Sequence, residues 1–229
     1  MGECVKMVDM EQHLKSPWVH QLVRSRPVYM LETDLVADII IVGGGISGIM
    51  SAYQILKNTD RSVVIIDAHE VGHGATGHNA GQLVSEIERT VHSLVEEYGL
   101  ERTGNLLFSI ESAWNILEEV IREAGINIPY STFEGYDVYS TKQQIHNQLS
   151  NISLMFQAGL NPKRMYISEE HIAGLEIDSV YAPYYEAIPH SSILSLSETI
   201  NPVYIAAYPH KKGCMNSAVL VEQLVLYMT

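Results

Sequence analysis

A β-branched run, Asp38-Ile39-Ile40-Ile41-Val42, leads straight into Gly43-x-Gly45-x-x-Gly48. This junction limits the fold more than any other part of the chain. A short, continuous apolar run suits a strand buried on both faces, as in a parallel sheet. Ile46, Ile49, Met50, Tyr53 and Leu56 then recur at helical spacing over Ile46–Lys57, and Asn58-Thr59-Asp60 ends the pattern. A second run, Ser62 to Asp67, reads as another buried strand. Strand, glycine turn, helix and strand in about 30 residues make a βαβ unit.

Each glycine has a physical task. Gly43 makes the tight turn, Gly45 lets the backbone approach a pyrophosphate, and Gly48 lets helix and strand pack closely. The helix start, with Ile46 and Ser47, turns N–H groups and a positive dipole end toward phosphates. Asp67 stands 19 residues past Gly48, where a carboxylate can accept from ribose hydroxyls, and Ala68 follows it. The plain alternative is an ordinary glycine turn, which would not need the acid at that distance.

A second glycine-rich loop follows, from Gly72 to Gly81. Gly74, Ala75, Ala80 and Gly81 are small enough for backbone to lie against a bulky planar ligand. Thr76 and Asn79 carry side-chain donors, and a helix starting near Gly81 would offer a second anion site. A nicotinamide-dependent dehydrogenase, the runner-up enzyme, needs no such loop.

Three stretches together resemble the FAD-binding start of the D-amino-acid oxidase (glycine/sarcosine oxidase) superfamily. They are Val36-Ala-Asp-Ile-Ile-Ile-Val-Gly-Gly-Gly-Ile-Ser-Gly-Ile, Val64-Ile-Ile-Asp67 and Gly74-Ala-Thr-Gly-His-Asn-Ala-Gly-Gln82. Gly213-Cys-Met-Asn-Ser-Ala-Val-Leu-Val221 resembles the place where such chains re-enter the FAD domain. The resemblance implies FAD as cofactor, held by Gly43, Gly45, Ile46, Ser47, Gly48, Asp67, Ala68, Gly74, Ala75, Thr76, His78, Asn79, Ala80, Gly81 and Gln82. It also implies oxidation of the C–N bond of an amine or amino acid, with hydride passing to the flavin. Electrons then go to oxygen or another acceptor. Two positions depart from the family: Asp67 stands where many members have Glu, and His78 where many have Arg. Some relatives carry a histidine there bonded to FAD, so His78 is either a covalent anchor or a polar loop residue. No catalytic residue carries over.

Beyond the loops the pattern changes. Leu83 to Tyr98 and Leu106 to Ala124 read as amphipathic helices ending at Gly99 and Gly125. Phe133–Ser140 reads as a strand, Lys142–Gln157 as a helix, Tyr181–Tyr208 as strands and turns, and Ser217–Met228 as a last helix. The expected fold is therefore α/β. A Rossmann-like FAD-binding domain over 31–82 and 213–229 would hold an inserted α+β substrate domain over 83–212, after a peripheral lead-in over 1–30. Two parallel strands are few for such a domain. The last helix has little polar face, so cover is expected from a second chain or from a longer version of this one. A non-catalytic or partner-dependent subunit is the reading from another class.

Composition removes several classes. Of 229 residues, 14 are Lys or Arg and 27 Asp or Glu, a net charge of −13. That repels nucleic acid and anionic membranes. Two cysteines and no secretory pattern in Met1–Met10 fit a cytoplasmic protein. Ten histidines show no metal-site spacing, so no metal is expected. His190 and His210 each adjoin a proline and read as turn residues. No phosphate loop of the GxxxxGK type and no GxSxG elbow occurs.

Overall fold

The computed structural model describes residues 16–27 and 29–229. The chain forms two compact units. One takes in the chain up to Leu83 with Glu119–Ser131 and Cys214–Thr229; the other holds Val84–Glu118 and Thr132–Gly213.

In the first unit, β1 (Ile39–Val42), α2 (Ile46–Asn58) and β2 (Val63–Ile66) form the expected βαβ. The strands run parallel, with Ile39 opposite Val63 and Val42 opposite Ile66. Asp38 and Ser62 lock the register. Ser62 donates to Asp38 Oδ2 from its backbone N and its Oγ, at 2.8 Å each. α2 buries Ile49, Ala52 and Tyr53.

A short helix, α1 (Pro17–His20), precedes β1, with Ser16 as its N-cap. Serine accepts from Val19 N here, and proline suits the first helical position because its missing N–H would be unpaired anyway. The chain ends in α8 (Ser217–Met228), capped by Asn216.

Two expectations need correcting here. The segment 16–27 is not peripheral. Val19 is buried, and Arg24 and Arg26 reach the buried Glu222 on α8, Arg26 Nε at 2.9 Å. Burying the carboxylate demands such partners, since an unpaired buried charge costs several kcal/mol. Residues 1–15 of the lead-in lie outside the described ones. Nor is α8 bare. Ala218, Leu220, Val221, Leu224 and Val225 are buried, with α1, α2 and a 3₁₀ turn at Ala75–Gly77 as neighbours. An all-round apolar helix fits because the lead-in covers a side that its sequence left without an obvious partner.

The second unit is α+β. Helix α3 (Val91–Tyr98) starts at its Thr90 cap and stops at Gly99, whose φ is +79°. The helix expected from Leu83 is therefore shorter. Gln82–Val84 is instead a strand, β3. Leu83 and Ile87 fit helical spacing, but the helix begins only at Thr90, whose side chain accepts from Ser93 N. Helix α4 (Leu100–Glu123) starts ahead of the expected Leu106, running through Gly104. A Cβ at Gly104 would stand 2.8 Å from the Ala158 carbonyl, so this glycine serves close approach and does not break the helix. β4 (Tyr130–Tyr139) and α5 (Lys142–Gln157) follow, α5 opening on a Thr141–Gln144 capping box.

Then come β5 (Met165–Ser168), α6 (Ile172–Leu175), β6 (Tyr185–Ile188), α7 (His190–Leu196) and β7 (Ala206–Met215). The sheet order is β3-β7-β5-β6, with β4 also on β7. β5 pairs parallel with β6 and antiparallel with β7. Ile145, Leu149 and Ile152 of α5 pack with Met165, Ile167, Leu175, Ala206 and Tyr208 to form the core. The stretch 181–208 thus holds a helix, α7, where strands and turns were expected. Its apolar anchor, Ile193, is fully buried.

Candidate functional site

The first glycine turn follows β1. Gly43 has φ +106°, and its N–H continues the ladder to Ile66 O at 2.8 Å. A Cβ at Gly48 would stand 2.0 Å from the Gly43 carbonyl, so helix and turn touch there without a side chain between them. α2 opens on Gly45 with no side-chain cap. Backbone N–H groups at such an end are satisfied by a ligand, water or a neighbouring loop. Here Thr76 Oγ1 accepts from Ile46 N at 2.9 Å.

Asp67 closes the turn from the other side. Its Oδ1 accepts from His69 N at 2.8 Å and its Oδ2 from Gly44 N at 2.6 Å. These two N–H groups hold the carboxyl below its ordinary range against the opposing cost of burial, with lesser help from the charges of His69 and His73. Each carboxylate oxygen keeps a second lone pair, so a ribose hydroxyl remains a possible donor to it.

The second loop lies on the first. Gly72 N donates to Gly44 O at 2.9 Å, beside the Thr76–Ile46 contact. Thr76 and Gly77 are buried, while Gly74, Ala75, His78, Asn79, Ala80 and Gln82 are exposed, as are Ser47, Asp67 and Ala68. A Cβ at Gly43 or Gly74 would meet nothing within 4 Å. His78 Nδ1 donates to Gly74 O at 3.1 Å, and its ring meets that of His73 edge-on at 5.3 Å. Asn79 braces its own loop: Nδ2 donates to Thr76 O at 2.7 Å and to Ser217 Oγ at 2.9 Å, and Oδ1 accepts from Gly81 N. The chain leaves Gly81 as the strand β3, so the helix end expected there as a second anion site is absent. Gly81 has φ +68°, which directs the backbone into that strand.

Reading the sequence missed the residues around this loop. Trp18 Nε1 donates to Asn79 O at 2.5 Å, and Ser16 Oγ donates to Gly77 O. A lone tryptophan beside a Ser-Pro cap was the only local signal. A groove of about 490 Å³ beside α8, lined by Leu22, Val23, Val219 and Leu226 among others, shares no residue with the two loops.

The second unit holds a separate charged group. His210, read as a turn residue, sits in β7 with both ring nitrogens on carboxylates: Nδ1 to Glu86 at 2.6 Å and Nε2 to Asp137 at 2.8 Å. Lys212 also reaches Asp137, at 3.1 Å. Burial alone would lower the imidazole's pKa, but Asp137 and Glu86 outweigh it and raise the pKa to about 8. The raised pKa favours the cation at neutral pH, with each ring nitrogen ion-paired to a carboxylate. His190 begins α7.

Parallel strands, a glycine turn at the helix start, an acid closing that turn and a second glycine loop stitched to it define an α/β fold of the dinucleotide-binding type. The model of the FAD dependent oxidoreductase family (D-amino-acid oxidase type) matches residues 38–192, and the chain belongs to that family.

Gamma-glutamylputrescine oxidoreductase of Escherichia coli (strain K12) is 29% identical over 121 residues, covering 53% of this chain and 28% of that protein. Glycine oxidase from Geobacillus kaustophilus superposes with a TM-score of 0.55 at 18% identity, over 83% of this chain and 44% of that one. L-alpha-glycerophosphate oxidase from Mycoplasma pneumoniae, solved with FAD bound, gives 0.53 at 17% identity, over 83% and 41%. The chain thus spans less than half the length of each. Among the described residues, no helix is long and apolar enough to cross a membrane.

Proposed function

We propose that this chain binds FAD and contributes to oxidation of the C–N bond of a small amine or amino acid, in a cytoplasmic setting. The observation that carries the reading is the stitching of two glycine loops at one helix end, through Thr76 Oγ1–Ile46 N and Gly72 N–Gly44 O. A nicotinamide site would use the first loop alone. The family supports FAD as the cofactor. The residues present fit that group. Gly45 leaves the start of α2 without a side-chain cap, Gly43 and Gly74 leave open space beside the backbone, and Asp67 is held ionised.

In this reading the N-terminal end of α2, with Gly45, Ile46 and Ser47, receives the pyrophosphate. Asp67 accepts from the ribose. The exposed face of Gly74, Ala75, His78 and Ala80 lies toward the flavin side, and Gln82 continues it, with the buried Gly81 turning the backbone between them. FAD, when bound, supplies the hydride acceptor, and the protein orients and shields the reacting bond. His78 is read here as a polar loop residue, its Nδ1–H donating to Gly74 O. The amine class rests on what the names of similar proteins state, together with an acidic chain that favours a cationic ligand. Titration of the purified chain with FAD, followed by flavin fluorescence, tests the reading: saturable quenching supports it.

A second reading is favoured by β1. Ile40 and Val42 are 54% and 81% exposed, and among the described residues the strand pairs only with β2. Parallel strands are ordinarily covered on both faces. In this reading a second polypeptide adds further strands beside β1 and completes the cofactor domain. Sizing the chain with and without a co-expressed copy of such a segment separates the two.

A further inference from the structure

We propose that the Ser16–His20 turn is a working part of the cofactor site, with Trp18 the positioning residue that sets the second glycine loop. The proposal rests on the FAD reading and adds residues that the glycine motifs do not contain.

Three contacts carry it. Trp18 Nε1–H donates to the Asn79 carbonyl at 2.5 Å, and Ser16 Oγ–H donates to the Gly77 carbonyl. Two loop carbonyls are thus held by one helical turn of the lead-in. Side chains of that turn also fill the space beside two loop glycines. A Cβ at Gly81 would stand 2.6 Å from Trp18 Cζ2, and a Cβ at Gly77 would stand 2.6 Å from Val19 Cγ2. Backbone crowds the same two positions, the Gly72 carbonyl at 2.4 Å from a Cβ at Gly77 and the Met215 carbonyl at 2.7 Å from one at Gly81, so Val19 and Trp18 complete pockets that only glycine leaves open. Gly74, Ala75 and Ala80 remain exposed and are the small residues left for a ligand.

The contacts form a continuous path to the helix end. Asn79, whose carbonyl Trp18 holds, donates from its side chain to Thr76 O, and Thr76 Oγ1 accepts from Ile46 N at the start of α2. From the far side, Asn216 donates to Trp18 O at 3.1 Å, and Ser217 Oγ donates to Thr76 O. Trp18 is thus tied both to the loop and to the residue that caps α8. A shift of the lead-in would move the Asn79 and Thr76 carbonyls together, and with them the hydroxyl at the pyrophosphate end.

The test compares the full chain with Trp18→Ala and Trp18→Phe by two readouts. The first is amide hydrogen exchange of the 76–81 segment without added cofactor, where the Gly77, His78 and Gly81 amides are hydrogen-bonded. The second is FAD affinity by fluorescence titration. Trp18→Ala is expected to speed exchange in 76–81 while leaving α5 unchanged, and to weaken FAD binding about tenfold or more. Trp18→Phe keeps a ring over Gly81 but lacks the N–H, so it should fall between the two. If Trp18→Ala does not fold, Trp18→Phe decides by the same two readouts. Unchanged exchange in 76–81 overturns the proposal. Faster exchange with unchanged FAD affinity overturns it too, by reducing Trp18 to a packing residue. Failure of the unaltered chain to take up FAD contradicts the cofactor reading instead, and the exchange result still judges whether Trp18 holds the loop.

Discussion

The Gly44 amide donates to Asp67 Oδ2 at 2.6 Å, so the acid at the end of β2 closes the glycine turn at the end of β1. Asp67 therefore has a structural task alongside the ribose contact proposed for it. Asp67→Ala leaves the Gly44 and His69 amides without this acceptor. It should lower stability by about 1–2 kcal/mol and abolish FAD uptake, as read by denaturant unfolding and titration. Asp67→Glu should keep both functions in weakened form, since a carboxylate remains within reach. Equal stability of Asp67→Ala and the unaltered chain would contradict the closure.

Glycines in the two loops should divide sharply on substitution. Gly48→Ala places a methyl 2.0 Å from the Gly43 carbonyl and should cost several kcal/mol or prevent folding of the first unit. At Gly74 a Cβ meets nothing within 4 Å. Gly74→Ala should therefore change stability by no more than about 0.5 kcal/mol while altering FAD affinity. Thermal melts of both variants check this. A stable Gly48→Ala would mean that helix and turn are not in contact.

His210 should give the second unit a pH-dependent stability. Its pKa is raised from an ordinary 6.5 to about 8 by Asp137 and Glu86, against the opposing effect of burial. A raised imidazole pKa favours the folded state while the ring is charged. The contribution is complete below about pH 6.5 and is lost as pH rises through 8. It amounts to about 2 kcal/mol at 1.36 kcal/mol for each tenfold change. Denaturant midpoints between pH 6 and 9 should fall for the unaltered chain and stay flatter for His210→Gln. A midpoint that rises over this range would contradict the ion pairs.

With His78 read as a polar loop residue, flavin bound by this chain should be released on acid denaturation. Spectra of the precipitate and the supernatant decide the point. Colour that stays with the protein, and is lost in His78→Ala, would establish the covalent bond instead.

Much of the first unit was legible because its determinants are local. β-branched runs, a glycine turn and helical spacing lie within thirty residues, and observed β1, α2 and β2 depart from the sequence boundaries by one residue at most. Thr76 and Asn79 were visible as polar positions, but their partners were not: Ile46 and Ser217 lie 30 and 138 residues away. Gly77 and Gly81 show the same limit. Their smallness is plain in the sequence, whereas the side chains it accommodates, Val19 and Trp18, come from a lead-in with no periodicity. The cover over α8 comes partly from that lead-in. His210 looked like a turn residue because Pro209 precedes it, and only strand pairing reveals the two carboxylates. The helix expected from Leu83 starts at Thr90 because Gln82–Val84 is taken up as a strand.

The most direct test of the account is FAD titration of the purified, folded 229-residue chain, with the visible spectrum recorded at saturation. The account predicts saturable binding, flavin bands that travel with the protein, and loss of both in Asp67→Ala. A folded chain that stays colourless and leaves flavin fluorescence unquenched at every FAD concentration would contradict it.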